Sequence, residues 1–256
     1  MSATTVPDRR RVLVRGELVH DLTELTVGDP GFRLVLPTPL PILVLRERTG
    51  ERVDLLTGER RTLGSVLCGP STRPWAVREA VGTRVTVLRL RPEALVRLGI
   101  TDPRTLVDGA RELEPGGPAA GSAPGVDGAE VDRALTGRAG VRDEVLRRRL
   151  GAAVGLILAE RGLVAAVEVA RAAQLPPSEL FRVLDRALGT GPEQLAAAQR
   201  LRSTVRDGVP AGAPVGRVLA VLAELRALPP NELARLGLDH GVLELVLRHG
   251  AELAAG

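Results

Sequence analysis

Histidine, cysteine and arginine are the residue types of this chain that could carry acid–base, metal or anion chemistry. The three histidines, His20, His240 and His249, fall in separate regions of the 256 residues, and Cys68 is the single cysteine. His240 and His249 alone would not define a metal site, because two ligands are too few, and one cysteine forms neither an internal disulfide nor a cysteine-rich zinc centre. The sequence also lacks a glycine-rich phosphate loop and a Gly-Xaa-Ser-Xaa-Gly nucleophile elbow. We therefore predict no enzyme activity, no cofactor and no metal, with Cys68 as a small buried residue.

Arginine supplies every positive side chain, because the chain has 35 basic residues and none of them is lysine. The formal net charge of +4 fits a nucleic-acid partner. The distribution of charge along the chain is a better guide to which segment would bind it. Residues 142–206 contain eleven arginines against seven acids, whereas residues 207–256 contain four against six. Non-specific DNA affinity comes largely from neutralised phosphates. The first segment is thus expected to bind DNA, and the second to serve mainly packing or dimer contact.

The N-terminal half is predicted to be mostly β. Short β-prone runs, such as residues 42–45 and 85–88, alternate with glycine, proline and charged turns between about residues 11 and 90. A helix is predicted after Arg91, because Pro92 suits its first position and Gly99 would end it behind Leu98. No apolar run of about 18 residues occurs, so we predict a cytoplasmic protein without a membrane span.

Residues 114–128 are rich in proline, glycine and alanine and have little to bury, so they are predicted to form a flexible linker. Beyond them, apolar residues recur at helical spacing, as in residues 145–158 and 215–225. The predicted fold class is α+β: a mostly β domain with a helix over residues 1–113, then an all-α domain over residues 129–256.

An internal repeat organises the helical half. Residues 170–182 and 223–235 match at seven positions, with Pro-Pro-Xaa-Glu-Leu-Xaa-Arg in both. In the first copy, a helix over residues 164–173 would turn Val167, Val169 and Ala170 toward a core, and a second would follow over residues 178–188. Helix, short turn and helix is the geometry that places the second helix in the DNA major groove. We predict two such units, over about residues 163–190 and 215–250.

Several of these stretches resemble transcription regulators of the AraC/XylS family. Residues 165–170 (AAVEVA), Leu175, residues 178–184 (SELFRVL), Gly189 and Pro192 look like the family's first helix-turn-helix, and residues 196–202 like the connection into its linker helix. Residues 69–75 (GPSTRPW), 88–94 (LRLRPEA) and 98–100 resemble the sensor-like N-terminal domain of many such regulators. The resemblance implies a sequence-specific regulator that responds to a small-molecule effector. Double-stranded DNA, RNA polymerase and a second copy of the chain are the partners it implies.

The resemblance also implies a set of DNA-binding residues: Ser178, Glu179, Phe181, Arg182, Arg186, Arg200 and Arg235. Ser178, Phe181 and Arg182 would face base edges and Arg186 the phosphate backbone. Arg182 would carry most of the specificity, since a bidentate arginine–guanine contact discriminates by about 1–3 kcal/mol. Two alternatives stay open: Arg182 as a solvated helix residue, and Phe181 as a core residue.

Three residues depart from the family pattern. Pro176 replaces the common capping residue, Asp185 stands where a basic residue is frequent, and Gly237 interrupts the second helix of the second copy. Glu179 and Asp185 would also reduce the attraction for phosphate. The alternative function is a family-derived module that has lost DNA binding and binds a small molecule or a protein.

Overall fold

The computed structural model describes residues 9–13, 16–113, 127–137, 139–140, 143–209 and 213–255, the first range by its backbone alone. Its strands are β1 (Arg9–Leu13), β2 (Val19–Thr26), β3 (Arg33–Val35), β4 (Ile42–Arg46), β5 (Gly50–Asp54), β6 (Arg60–Leu63), β7 (Val66–Cys68), β8 (Trp75–Arg78), β9 (Arg84–Leu90) and β10 (Ala110–Glu112). Its helices are α1 (Ala94–Arg97), α2 (Gly128–Thr136), α3 (Glu144–Ala159), α4 (Ala166–Ala172), α5 (Pro177–Leu188), α6 (Pro192–Gly208), α7 (Val215–Glu224), α8 (Pro230–Arg235) and α9 (His240–Ala255). Two short 3₁₀ segments, Pro103–Leu106 and Leu225–Ala227, complete the described elements.

The strands form two antiparallel sheets that pack face to face. One sheet has the order β1-β2-β9-β4-β7-β10 and the other the order β3-β8-β5-β6. Side chains alternate along a strand, so Ile42 and Val44 of β4 enter the core between the sheets, which also contains Trp75. Leu43 and Leu45 of the same strand enter a second core on the outer face. The chain is α+β, as predicted, and the apolar run at residues 42–45 is a strand that is buried on both faces.

Helix α2 packs on the outer face of the six-stranded sheet. Val131 and Leu135 belong to the same core as Leu43 of β4. The Asp132 carboxylate accepts backbone hydrogen bonds from residues 17, 18 and 19, each 2.7 Å long. All of this helix except Gly128 lies within residues 129–256, the predicted all-α domain, yet it packs on the sheet.

The predicted linker, residues 114–128, lies mostly outside the described residues, which resume at Asp127. The Asp127 side chain caps α2 by accepting a hydrogen bond from the Ala129 amide, and Gly128 is the first helical residue. The last two residues of the predicted linker therefore belong to the start of α2. Flexibility of residues 114–126, and the division into two domains, stay predictions.

The remaining helices build two cores. Helices α3 to α5 and the first turns of α6 enclose one of them. The end of α6 and helices α7 to α9 enclose the other, together with Phe32, Val53 and Leu55 from the four-stranded sheet and its loops. The C-terminal helices are thus joined to the β region by shared apolar side chains. None of the helices in the described ranges has both the length and the apolar character needed to cross a bilayer.

Two local predictions are corrected by the structure. The helix predicted over residues 164–173 begins only at Ala166, and Val167 is 52% exposed because it lies on the outer face of α4. Val169 and Ala170 do enter the core, as predicted. The helix predicted after Arg91 is a single turn, Ala94–Arg97, and the chain leaves it through Gly99 at φ +76°.

Candidate nucleic-acid interface

Helices α4 and α5 form a helix-turn-helix. Between them Gln174 adopts a left-handed conformation at φ +55°, and the buried Leu175 anchors the turn in the core. Pro176 is the N-cap of α5 and Pro177 its first residue. A proline at the first helical position loses no helical hydrogen bond, because that amide has no partner inside the helix. The sequence therefore stops α4 and restarts the chain as α5 within four residues.

One face of α5 is buried and the opposite face is exposed. Leu180, Leu184, Ala187 and Leu188 are buried against α3, α4 and α6. Exposed on the other side are Ser178, Phe181, Arg182 and Arg186, which share one face because their spacing of three, four and eight residues follows the helical turn. We call these four residues the α5 face. The structure brings together four of the seven predicted DNA-binding residues there.

Both acidic side chains of α5 are paired with arginines from other elements. Glu179 lies 3.7 Å from the Arg149 guanidinium of α3. Asp185 accepts two hydrogen bonds from Arg104, one of them 2.9 Å from Nε to Oδ1. Within the described part of the chain, Arg182 and Arg186 form no ion pair. The repulsion of phosphate expected from Glu179 and Asp185 is thus offset locally, and the α5 face keeps two positive charges that no described carboxylate neutralises.

Phe181 lies at the junction of α5 and α6. A Cβ atom built on Gly191 would lie 2.7 Å from Phe181 Cε2, so one edge of the ring covers the glycine backbone. The ring is nevertheless 48% exposed. Phe181 is therefore outside the buried core, and its free side is available for an apolar contact such as a thymine methyl group.

The last turn of α5 rests on the 3₁₀ segment Pro103–Leu106, which belongs to the N-terminal half. Gly189 ends α5 at φ +77°, and a Cβ there would lie 2.6 Å from the Arg104 backbone. The hydrogen bonds from Arg104 also lower the pKa of the Asp185 carboxyl below its ordinary value. Sequence reasoning missed Arg104, since no local pattern links two residues that are 81 positions apart.

The second copy of the repeat has a truncated second helix. Helix α8 spans six residues, Pro230–Arg235, and the chain turns away at Gly237 with φ +73°. The predicted interruption at Gly237 is therefore confirmed. Arg235 is exposed at the end of α8, a helix of only about one and a half turns.

Arg235 lies near enough to Arg200 of α6 for its charge to act on the Arg200 guanidinium. Burial, and then the positive charge of Arg235, lower the pKa of Arg200. The Arg200 Nε is buried and, among the described residues, has no hydrogen-bond partner. These two predicted DNA-binding residues thus form a separate pair.

Two of the histidines and the cysteine are held by hydrogen bonds or by burial. His20 bonds the neighbouring Asp21 at 2.9 Å, and His249 Nδ1 lies 2.8 Å from the Leu55 carbonyl oxygen. Burial raises the pKa of the Cys68 thiol to about 11. In the described ranges, no group of three or more His, Cys, Asp or Glu side chains could hold a metal ion.

A small cavity lies beside the Trp75 ring in the β region. A cavity of about 10 Å³ remains beside Arg52, Cys68, Trp75 and Asp108, and the Arg52 guanidinium stacks 4.6 Å from the centre of the Trp75 ring. A cavity of this size holds about one water molecule. An effector larger than water would therefore have to displace side chains to enter it.

No protein-family model and no curated protein sequence matches this chain. Among solved structures, a 1.65 Å structure of ToxT from Vibrio cholerae is similar at 9% identity, with 93% of this chain and 98% of that chain covered and a TM-score of 0.40. The unsaturated fatty acid bound wild-type ToxT is similar at 10% identity, with 86% and 87% covered and the same TM-score. Native PhpD with cadmium atoms reaches 15% identity and a TM-score of 0.26, covering 74% of this chain and 47% of that one. Likenesses this low carry no argument about fold or function.

Proposed function

We propose that this chain is a sequence-specific DNA-binding transcription regulator of the AraC type that inserts α5 into the major groove. The α5 face carries the proposal: a helix-turn-helix presents an apolar ring, a hydroxyl and two arginines on the exposed side of its second helix, and neither arginine has an ion-pair partner among the described residues. These are the groups that meet base edges and phosphates in a major groove.

The first turns of α5 are available for docking. In helix-turn-helix proteins, the N-terminal residues of the second helix contact base edges. Ser178 and Arg182 lie in that part, whereas the contact with Arg104 is made by Asp185, near the end of the helix. The N-terminal half thus holds α5 without covering the residues proposed to contact bases.

Separate roles for the two helix-turn-helix units follow from their geometry. Helix α5 has twelve residues, while α8 has six and lies in a segment with more acids than arginines. A helix of six residues has little length to lay along a groove. We assign base contacts to the first unit and support of binding to the second.

A module that has lost DNA binding is the second candidate, and the acidic second unit favours it. Gel-shift experiments on a pool of genomic fragments, at low and at moderate salt, separate the two functions. A sequence-specific regulator selects the same fragments as salt rises. Loss of every selected band at moderate salt would mean that only non-specific charge attraction held the DNA, and it would support the second candidate.

Arg182→Ala and Arg248→Ala form the matched pair for this assay. Both residues are exposed helical arginines, but Arg248 lies on α9. Arg182→Ala is expected to weaken the selection of these fragments, by about 1–3 kcal/mol of binding, while Arg248→Ala retains it. The effector, RNA polymerase and a second copy of the chain remain proposed partners of the regulator.

A further inference from the structure

The end of α8 is packed directly against α6. A Cβ atom built on Gly237 would lie 3.1 Å from the Ala197 Cβ of α6. Arg235 precedes Gly237 by two residues, and Arg200 follows Ala197 by one helical turn. The contact of Gly237 with α6 therefore brings Arg235, at the end of α8, near Arg200 of α6.

Arg200 is held in position by the turn between α3 and α4. Gly162 lies there at φ +79°, and a Cβ atom on it would lie 2.9 Å from the Arg200 Cγ. The aliphatic stem is therefore clamped against backbone, and the buried Nε lacks a partner among the described residues. An unsatisfied buried donor is costly, so the Arg200 guanidinium has hydrogen-bonding capacity left that it can donate to a ligand oxygen.

Among the residues that the structure describes, no carboxylate compensates the charges of Arg200 and Arg235. In the described part of the chain, neither Arg200 nor Arg235 forms an ion pair, while nearby Arg161 is bound to Asp207. The like charge of Arg235, after burial, lowers the pKa of Arg200. Two adjacent positive charges without a counter-charge repel each other, and an anion between them would remove that repulsion.

We propose that Arg200 and Arg235 together bind one phosphate group, supplied in the functional complex by the DNA backbone. This inference rests on the proposed function and deepens it. Arginine pairs suit phosphate because the planar guanidinium donates two parallel hydrogen bonds to its oxygens. In this role the truncated second unit needs only one exposed side chain, Arg235, and no long helix. Its contact with the phosphate would fix the position of the protein on the DNA backbone.

Inorganic phosphate tests the site without DNA. Thermal unfolding is followed with increasing phosphate, with chloride replaced to keep the ionic strength constant, for the wild type, Arg235→Gln and the control Arg248→Gln. Ligand that binds the folded state raises the Tm. The Tm is expected to rise with phosphate in the wild type and in the control, and to stay flat in Arg235→Gln. An equal rise in all three proteins would overturn the proposal. Arg235 is exposed, so its replacement leaves the fold intact, whereas Arg200→Gln removes a packed stem.

The salt dependence of DNA binding tests whether one phosphate is shared. Each phosphate contact contributes about 0.9 to the slope of log K against log salt. Arg235→Gln, and Arg200→Gln with Arg235→Gln, are both expected to lower that slope by about 0.9. A loss of about 1.8 in the double variant would mean two separate phosphates and would contradict the shared site. If the wild type responds to inorganic phosphate but binds no DNA, the regulator function fails and the anion site stands.

Discussion

Replacing Asp132 by alanine should weaken the attachment of α2 to the β region. The Asp132 carboxylate accepts hydrogen bonds of 2.7 Å from the backbone amides of Glu17, Leu18 and Val19. Leu18 and Val19 are completely buried, and Asp132 is 7% exposed. Water therefore cannot replace the lost acceptor at two of the three amides without opening the structure.

The expected loss follows from those two buried amides. A buried donor left without a partner costs about 1–3 kcal/mol, so the free energy of unfolding should fall by about 2–6 kcal/mol. A domain is typically stable by about 5–15 kcal/mol, and the variant would lose a large part of that. Asp132→Asn keeps the shape of the side chain and one acceptor oxygen. Its free energy of unfolding should therefore lie between those of the wild type and the alanine variant.

Urea unfolding followed by circular dichroism measures the loss, with Asp127→Ala as the matched control. Asp127 caps the same helix through one exposed hydrogen bond of 3.1 Å to the Ala129 amide. Loss of such a cap costs about 0.5–2 kcal/mol. If Asp132→Ala lowers the free energy of unfolding no more than Asp127→Ala does, the Asp132 carboxylate stabilises only its own helix. That result would refute its role in docking α2 on the sheet.

Three further predictions concern α5 and the core. Gly189→Ala puts a Cβ atom at φ +77°, 2.6 Å from the Arg104 backbone, and should lower stability by more than 1 kcal/mol; an unchanged urea midpoint would contradict this packing. Leu184→Ala, at 0% exposure, should cost about 2–5 kcal/mol, whereas Phe181→Ala, at 48% exposure, should cost far less; equal losses of Tm would disprove the assignment of faces. The Cys68 thiol, buried with a pKa of about 11, should resist a thiol reagent at pH 8 until the protein unfolds. Its raised pKa also predicts stability that declines as the pH rises above the ordinary value of 9.0, and rapid reaction of the native thiol would contradict both points.

Local signals predicted the elements of α5 well. Pro176 and Pro177 mark the break before it, and the turn at Gly189 marks its end, because these residues restrict or free the backbone at their own positions. Gly237 likewise ended α8 where the interrupted repeat indicated. Such features depend on a few neighbouring residues, so a single sequence contains them.

Long-range contacts could not be predicted in this way. Val167 has the spacing of a core residue, yet the direction in which α4 packs leaves it 52% exposed. The pairing of Asp185 with Arg104, and the docking of Asp132 on residues 17–19, join segments 81 and more than 110 positions apart. Sequence periodicity predicts a helix and its apolar face, but the partner of that face is set by the tertiary fold.

The most direct test of the central claim is the binding preference of Arg182→Ala. Fluorescence anisotropy would compare a duplex selected by the wild type with the same duplex changed at one guanine, for the wild type, Arg182→Ala and Arg248→Ala of equal thermal stability. We predict that Arg182→Ala loses about 1–3 kcal/mol of binding to the selected duplex and binds both duplexes alike at that guanine, while Arg248→Ala keeps the wild-type preference. An Arg182→Ala protein that retains both the affinity and the base preference of the wild type, at every guanine tested, would contradict the assignment of the α5 face as the DNA-reading surface.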